Sequence, residues 1–468
     1  MMKQFTIKEV SQATGAVLVS GRQDNTVMHM CTDSREAMPG DLFFPLIGEN
    51  NDGHDYLNQV IEKGCRSIIV SDLNKVPPRL SETFGEDINI LKVEDTTKAL
   101  QDLARYYLGT MPLKKKIAVT GSVGKTSTRD MLYYVAKTRY KTSKNKKNYN
   151  NAFGLPLSIL DFDPDTEVAV LEMGMSAKGE IDKLAELVRP DIAVITNIGI
   201  SHIENLGSRE GILNAKMEVT SFFNQESTLI VNSDCDLLDS EHVAGNYNLI
   251  TVGTGENCDY TVSNICDFGD KGIKYTLGHN DRKYDVQLAV PGAHNAINGT
   301  LAIVAGDLLN ISLEDAIKGL EQAELTDKRL NIKTAREIKV IDDTYNACPE
   351  SIKSAINTLS QTQGKRRIAI IGDMFELGDE SANAHRDVGK FAAQKGVDML
   401  IAVGDIAKEY VAGAGKYMDK DCIFYFPETS QLKECINCMT RPGDVILVKA
   451  SRGMALEKIV EEILNGKE

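Results

Sequence analysis

The sequence runs to 468 residues, 42% hydrophobic and 26% charged, with a formal net charge of −14. That is an ordinary globular composition too long for one core, so about two to four domains are expected, and the acidic balance excludes broad nucleic-acid binding, which needs a basic face. A local cluster such as Lys144, Lys146 and Lys147 can still hold a small phosphate. "MMKQFTIKEV" carries no signal-peptide core, and no run of about eighteen apolar residues occurs, so no membrane insertion is expected. The nine cysteines are odd in number and dispersed, which points to reduced thiols in the cytoplasm. Cys435 and Cys438 form one C-x-x-C with no second pair nearby to complete a zinc knuckle.

Up to about residue 112 short strands and helices mix around the turn-rich "MPGDLFFPLIGENNDGHDY", and "VPPRLSETFGED" reads as loop. From Ile117 the texture changes. "KIAVTG", "EVAVLEMG", "DIAVITNIG" and "TLIVNSD" are short, β-branched runs of the kind buried on both faces, and helical patterns separate them. This predicts an α/β unit with a mainly parallel sheet. Near Lys328 the pattern restarts with "IKVIDDTY", "RRIAIIGD", "DMLIAVGD", "CIFYF" and "DVILVKAS", enough for a second doubly wound, Rossmann-like unit. The expected architecture is therefore three α/β domains at 1–112, 113–326 and 327–468, without internal repeats.

The segment "KKKIAVTGSVGKTSTRD", residues 114–130, joins a predicted strand to a predicted helix through Gly121, Ser122, Val123 and Gly124, followed by Lys125, Thr126 and Ser127. A phosphate loop works because backbone N–H groups at a tight turn and a helix N-terminus favour an anion. Lys125 can reach the β- and γ-phosphates and the Thr126 hydroxyl can ligate Mg²⁺. Only two residues separate the glycines, where the usual pattern has about four. A plain glycine turn with a chance lysine is the competing account, but strand, turn, Gly-Lys-Thr and helix coincide, so ATP is the expected ligand. Glu172 and His202, with Glu204 nearby, each follow the C-terminal end of a predicted strand. Ligands bind at that edge of a parallel sheet, so both should face the loop's crevice, where a carboxylate and an imidazole suit Mg²⁺ beside a triphosphate. Taken singly, each could equally be an ion-pair partner or a satisfied histidine.

The combination "TGSVGKTS", "KNYNNAFGLPLSIL", "LEMGMSAKGEI", "NIGISHIENLGS", "NAKME", "PGAHNAINGTLAIVAG", "IDDTYNACPESI" and "VKASRGMALEKIV" resembles the Mur ligase family, ATP-dependent enzymes that build the peptide of the bacterial cell-wall precursor. The motifs run in family order over nearly the whole chain, and the short glycine spacing is the family's own form. Within the family, "CTDSREAMPGDLFFPLIGENNDGHDY" is similar to the uridine-nucleotide-binding domain of the later ligases. "IAIIGDMFELGDESANAHRDVG" is similar to a signature of the member that adds D-alanyl-D-alanine, and the Asp-Asn-Pro-Arg motif of the diaminopimelate-adding sister is missing. The resemblance implies an ATP- and Mg²⁺-dependent amide ligase joining D-alanyl-D-alanine to UDP-N-acetylmuramoyl-tripeptide through an acyl phosphate, acting as a cytoplasmic monomer.

It also implies site residues. Asp33, Ser34 and Arg35 would meet the diphosphate and sugar; Asn150 and Asn151 would lie near the muramoyl peptide. His294 and Asn295 would lie near adenine, and Arg329 and Asp343 would hold the nucleotide from the third domain. Lys449, Ser451 and Arg452 would read the dipeptide carboxylate, which suits a planar guanidinium. Lys216 in "GILNAKMEVTSFF" would work as a carbamate, joining Thr126, Glu172 and His202 around the metal. Each has a plainer alternative: "PGAHN" as a strand-to-helix turn, residues 449–452 as a solvated helix start, Lys216 as a surface lysine paired with Glu218 or Glu210. Ala450 stands where the family usually has Gly, and Cys348 where it has Asn or similar. A folylpolyglutamate-type ligase would begin near the phosphate loop. A catalytically silent scaffold would be expected to lose Lys125, Thr126, Glu172 or His202.

Overall fold

A computed structural model of the chain describes residues 3–466 apart from 49, 79, 81–84, 147 and 327. Lys147 and part of the segment expected as loop at 76–87 therefore lie outside the described residues.

The middle of the chain forms a nine-stranded sheet whose centre runs Thr228–Asn232, Ile192–Ile195, Lys115–Thr120, Val168–Glu172, all parallel. These are the four expected strands. Side chains alternate across a strand, and here alternate residues feed two separate cores. Ala118, Ala169, Leu171, Ala193 and Ile195 face one. Ile117, Val119, Val168, Val170, Ile192 and Val194 face the other. Because both faces are covered by helices, each strand reads as a continuous apolar run. Five further strands complete the sheet. Thr142–Lys144, Asn248–Gly253 and Tyr260–Asp267 are parallel additions, and Ile273–His279 and Arg282–Leu288 fold back antiparallel.

The N-terminal five-stranded sheet has the order Val17–Ser20, Asn89–Lys92, Ser67–Val70, Asp41–Phe43, His29–Cys31, with only the first pairing antiparallel. Its last helix, Thr96–Thr110, also belongs to the middle of the molecule: Leu100, Leu103 and Tyr107 share a core with Leu155, Ile159 and Leu184. The Tyr107 hydroxyl donates to the Phe162 carbonyl at 2.7 Å.

The C-terminal sheet is six-stranded. It contains all five expected strands, Ile338–Asp342, Asp444–Lys449, Arg366–Gly372, Met399–Val403 and Ile423–Phe426, in parallel, plus an antiparallel edge strand Asn331–Ala335. Among the described residues, no helix is long and apolar enough to cross a membrane.

Candidate active site

The strand Lys115–Thr120 feeds a glycine loop into the helix Lys125–Lys137. Gly121 has φ 143° and Gly124 φ 85°, and a Cβ at Gly121 would lie 2.0 Å from Thr196 Oγ1. Only glycine fits there. The loop is pinned by the end of the neighbouring strand: Val123 N donates to Asn197 Oδ1 at 2.9 Å, Thr196 Oγ1 to the Val123 carbonyl at 2.5 Å, and Gly199 N to Ser122 Oγ at 2.9 Å. Lys125 Nζ folds over the loop and donates to the carbonyls of Gly121 and Ser122 at 2.8 and 3.1 Å. Burial lowers its pKa, and Glu172 opposes that effect.

Glu172 ends the strand Val168–Glu172 and is 1% exposed. Its Oε2 accepts from Thr126 Oγ1 at 2.8 Å and Arg129 Nη1 at 3.3 Å, and its Oε1 from Asn150 Nδ2 at 2.7 Å. Asn151 Oδ1 accepts from Gly154 N, the first residue of the helix Gly154–Leu160, at 2.8 Å. His202 adopts φ 64°. Its Nδ1 lies 2.5 Å from Glu376 Oε2, close enough for an ion pair but not aligned as a hydrogen bond. Burial lowers the His202 pKa; Glu376 offsets this in part, while Lys125 and Lys216 add to it.

From the third domain, Arg329 stacks its guanidinium 4.3 Å from the Tyr345 ring centre. Asp343 and Lys449 form a 2.6 Å ion pair, and Lys449 Nζ also donates to the Asn346 carbonyl at 2.7 Å. His294 Nδ1 meets Ser354 Oγ at 2.6 Å; burial, then Lys449, pushes its pKa down to about 4, so it is neutral near pH 7. Together Ser122 to Ser127, Asn150, Asn151, Glu172, His202, His294, Arg329, Asp343 and Lys449 line one cleft of about 340 Å³ between the middle and C-terminal sheets, within the range of small-molecule sites.

Several expected residues lie elsewhere. Asn295 is fully buried; its amide donates to the Pro291 carbonyl at 2.7 Å and its oxygen accepts from Asn298 at 3.0 Å, so the side chain does not reach the cleft. Ser451 is buried, with its hydroxyl accepting from Phe375 N at 2.9 Å, and Arg452 is exposed 5.7 Å from the Tyr345 ring; neither lines the cleft. Asp33 and Arg35 pair with each other at 2.6 Å on the N-terminal domain, away from the cleft lining, and that guanidinium holds the Asp33 pKa at about 2. Ser34 Oγ donates to Gln59 Oε1 at 2.9 Å.

Two lysines of the cluster expected to hold a phosphate, Lys144 and Lys146, are each paired with a carboxylate. Lys144 pairs with Asp130 at 2.7 Å and Lys146 with Asp161 at 3.0 Å. Lys216 is not the surface lysine of the plainer alternative: it is 2% exposed and donates to the Gly121 carbonyl at 2.9 Å, behind the loop. Glu218 is engaged elsewhere, accepting from Gly179 N at 2.8 Å and Asp182 N at 3.2 Å at the start of the helix Glu180–Val188. Sequence reasoning missed Thr196, Asn197, Arg129, Tyr345 and Glu376. The polar "TN" directly after a buried strand was the available signal for the first two.

A profile described as the Mur ligase middle domain matches residues 119–306, one described as the Mur ligase, glutamate ligase domain matches 328–452, and one described as the Mur ligase family, catalytic domain matches 26–108. The UDP-N-acetylmuramoyl-tripeptide--D-alanyl-D-alanine ligase of Bacillus subtilis (strain 168) is 37% identical over 466 residues, 99% of each chain. A crystal structure of MurF from Acinetobacter baumannii is similar with a TM-score of 0.88, at 31% identity over 99% of both chains. The MurF ligase from Thermotoga maritima in complex with ADP has a TM-score of 0.80 at 27% identity, covering 93% of this chain and 97% of that one. With three family domains matched in order and a relative 37% identical over 99% of both chains, the chain belongs to the Mur ligase family.

Proposed function

We infer that this chain is an ATP-dependent ligase that joins D-alanyl-D-alanine to UDP-N-acetylmuramoyl-tripeptide, giving the pentapeptide precursor of peptidoglycan with ADP and phosphate. The observation that carries this reading is full-length similarity to ligases of that name in a chain whose glycine loop, Lys125, Thr126, Glu172 and His202 converge on one cleft.

The chemistry follows from the substrate. A peptide carboxylate resists an amine because its oxygen leaves poorly. In-line attack of that carboxylate on the γ-phosphorus forms an acyl phosphate and releases ADP. The dipeptide amine then adds to the acyl carbon, loses a proton, and the tetrahedral intermediate expels phosphate. Phosphoryl transfer asks the protein chiefly for positioning and neutralised charge. Lys125 and the loop amides supply that charge, and closure of the cleft would keep water from the acyl phosphate. The donors present also suit Mg²⁺: a buried carboxylate on Glu172, bonded to the Thr126 hydroxyl, and an imidazole on His202 beside the same cleft, with phosphate and water left to fill the shell. Thr126, Glu172 and His202 would hold the ion, which when bound adds charge neutralisation at the β- and γ-phosphates; a carbamate on Lys216 is the proposed fourth contributor.

Asn150 and Asn151 are proposed to face the muramoyl peptide, His294, Arg329 and Asp343 the nucleotide, and Asp33 to Arg35 the uridine diphosphate. Lys449 is already paired with Asp343, so a dipeptide carboxylate there would have to share it. Domain boundaries are proposed at 112/113 and 326/327. We propose that it acts as a monomer, in the cytoplasm where ATP and a nucleotide-linked substrate are at hand.

The test is ADP release from the purified chain with UDP-muramoyl tripeptides, with and without D-alanyl-D-alanine. Release that requires the dipeptide, with formation of the pentapeptide by mass, is expected. Indifference to the dipeptide, or preference for a single amino acid, would overturn the assignment.

A further inference from the structure

Two loops with left-handed, non-glycine residues meet across the interface between the middle and C-terminal domains: His202 at φ 64° and Glu376 at φ 63°. Such backbone is rare for residues with side chains and persists where surrounding structure enforces it. Glu376 Oε2 stands 2.5 Å from His202 Nδ1. The same turn is gripped from another side by Glu350, in the first turn of the helix Pro349–Gln361, whose Oε1 accepts from Ile200 N at 3.3 Å. Gly199 lies so close to that carboxylate that a Cβ would be 2.9 Å from Oε1. Gly378 packs against Glu204, 3.5 Å from its Cβ once given a Cβ of its own. Two carboxylates of the C-terminal domain thus clasp the one turn of the middle domain that carries His202. With Nδ1 turned to Glu376, Nε2 is the ring nitrogen left for the cleft that His202 lines.

We propose that Glu376 is a positioning residue: it holds the Nδ1 proton and so fixes the tautomer and orientation of His202, and it does this only while the C-terminal domain is docked. A carboxylate that accepts from one ring nitrogen of a histidine sets which nitrogen presents its lone pair to the other side. The two groups stand as a close, unaligned ion pair, and a rotation of the half-exposed carboxylate would turn that contact into the hydrogen bond. Domain docking then completes the triphosphate site, so phosphoryl transfer waits for closure. The proposal rests on the reading of His202 as a residue of that site.

The experiment combines kinetics with imidazole ¹⁵N spectra of the full chain bound to ADP without Mg²⁺, because a metal on Nε2 would by itself keep the proton on Nδ1; the chain has seven histidines, and His202→Ala assigns the signal. The wild type should show His202 protonated at Nδ1. Glu376→Ala should mix the tautomers and lower kcat by about tenfold to a hundredfold with KM for ATP little changed. Glu376→Gln, whose amide oxygen still accepts the Nδ1 proton, should keep the tautomer and most of the rate. An unaltered tautomer in Glu376→Ala overturns the proposal whether or not the rate falls, because a fall would then reflect domain contact alone. A fully active His202→Ala would instead remove the underlying reading of His202.

Discussion

An ammonium buried without an anion beside it is costly, and Lys216 is 2% exposed with a backbone carbonyl as its acceptor and no carboxylate among the described residues paired with it. Burial, then the charge of Lys125, lowers its pKa well below the ordinary lysine value. The neutral amine favoured there is the form that adds carbon dioxide, and the adduct would be anionic where an ammonium would repel both Lys125 and a metal. Lys216→Ala should therefore lose about a hundredfold or more in rate, with partial recovery on adding acetate or formate. A carbamate carbon signal should also appear in the wild type, and not in the variant, after exchange into ¹³C-bicarbonate. An unimpaired variant, or a wild type without that signal, removes the carbamate. The sequence left Lys216 open between this role and a surface pair because an Ala-Lys-Met-Glu helix looks alike in both. What decided its surroundings was tertiary: Glu218 turned to cap another helix. Asn295 went the opposite way for the same reason, since a helix-start asparagine can serve a ligand or its own backbone, and here it bonds Pro291.

The glycine loop is an element whose shape depends on close contacts with the segment after the neighbouring strand. Gly121 combines φ 143° with a neighbour, Thr196 Oγ1, that a Cβ would overlap at 2.0 Å, and Thr196 cannot retreat without breaking its bond to the Val123 carbonyl. Gly179 is a matched control, with φ 85° and open space around its missing Cβ. Gly179→Ala should cost only about 1 kcal/mol of backbone strain and leave ATP binding intact. Gly121→Ala should lower Tm further and abolish ATP binding measured by calorimetry, because the loop amides lose their arrangement. Equal ATP affinity in both variants would mean the loop does not shape the site. This element was legible because strand, glycines and helix each left a local signature. The parallel strands were legible because burial on both faces makes unbroken apolar runs. The antiparallel strand Arg282–Leu288 escaped because exposed Arg282, Lys283 and Asp285 break its run. Asn331–Ala335 escaped because its hairpin turns at Arg336 and Glu337, both with positive φ, where glycine or asparagine is the usual signal.

At the scale of the whole molecule the proposed substrate sites are divided among bodies that are not equally separate. The N-terminal domain shares a hydrophobic core with the middle one through the helix Thr96–Thr110, whereas the nucleotide cleft opens between the middle and C-terminal sheets. The boundary proposed at 112/113 is thus a change of texture in the sequence but a continuous core in space, which no local pattern could signal. Asp33 and Arg35 sit on the first body and line no part of the cleft. Arg35 is 82% exposed at its side chain and pairs with Asp33, an ion pair open to water and salt whose loss should hardly affect folding. If this segment binds the uridine diphosphate, Arg35→Ala removes a cation from one substrate's site and leaves the ATP cleft untouched. KM for the muramoyl substrate should then rise about tenfold or more while KM for ATP and Tm stay within error, and the rise should shrink at high salt as screening weakens the wild-type contact. A parallel rise in both KM values, or a drop in Tm, would mean that Arg35 holds the N-terminal domain in place and that the uridine diphosphate binds elsewhere on it.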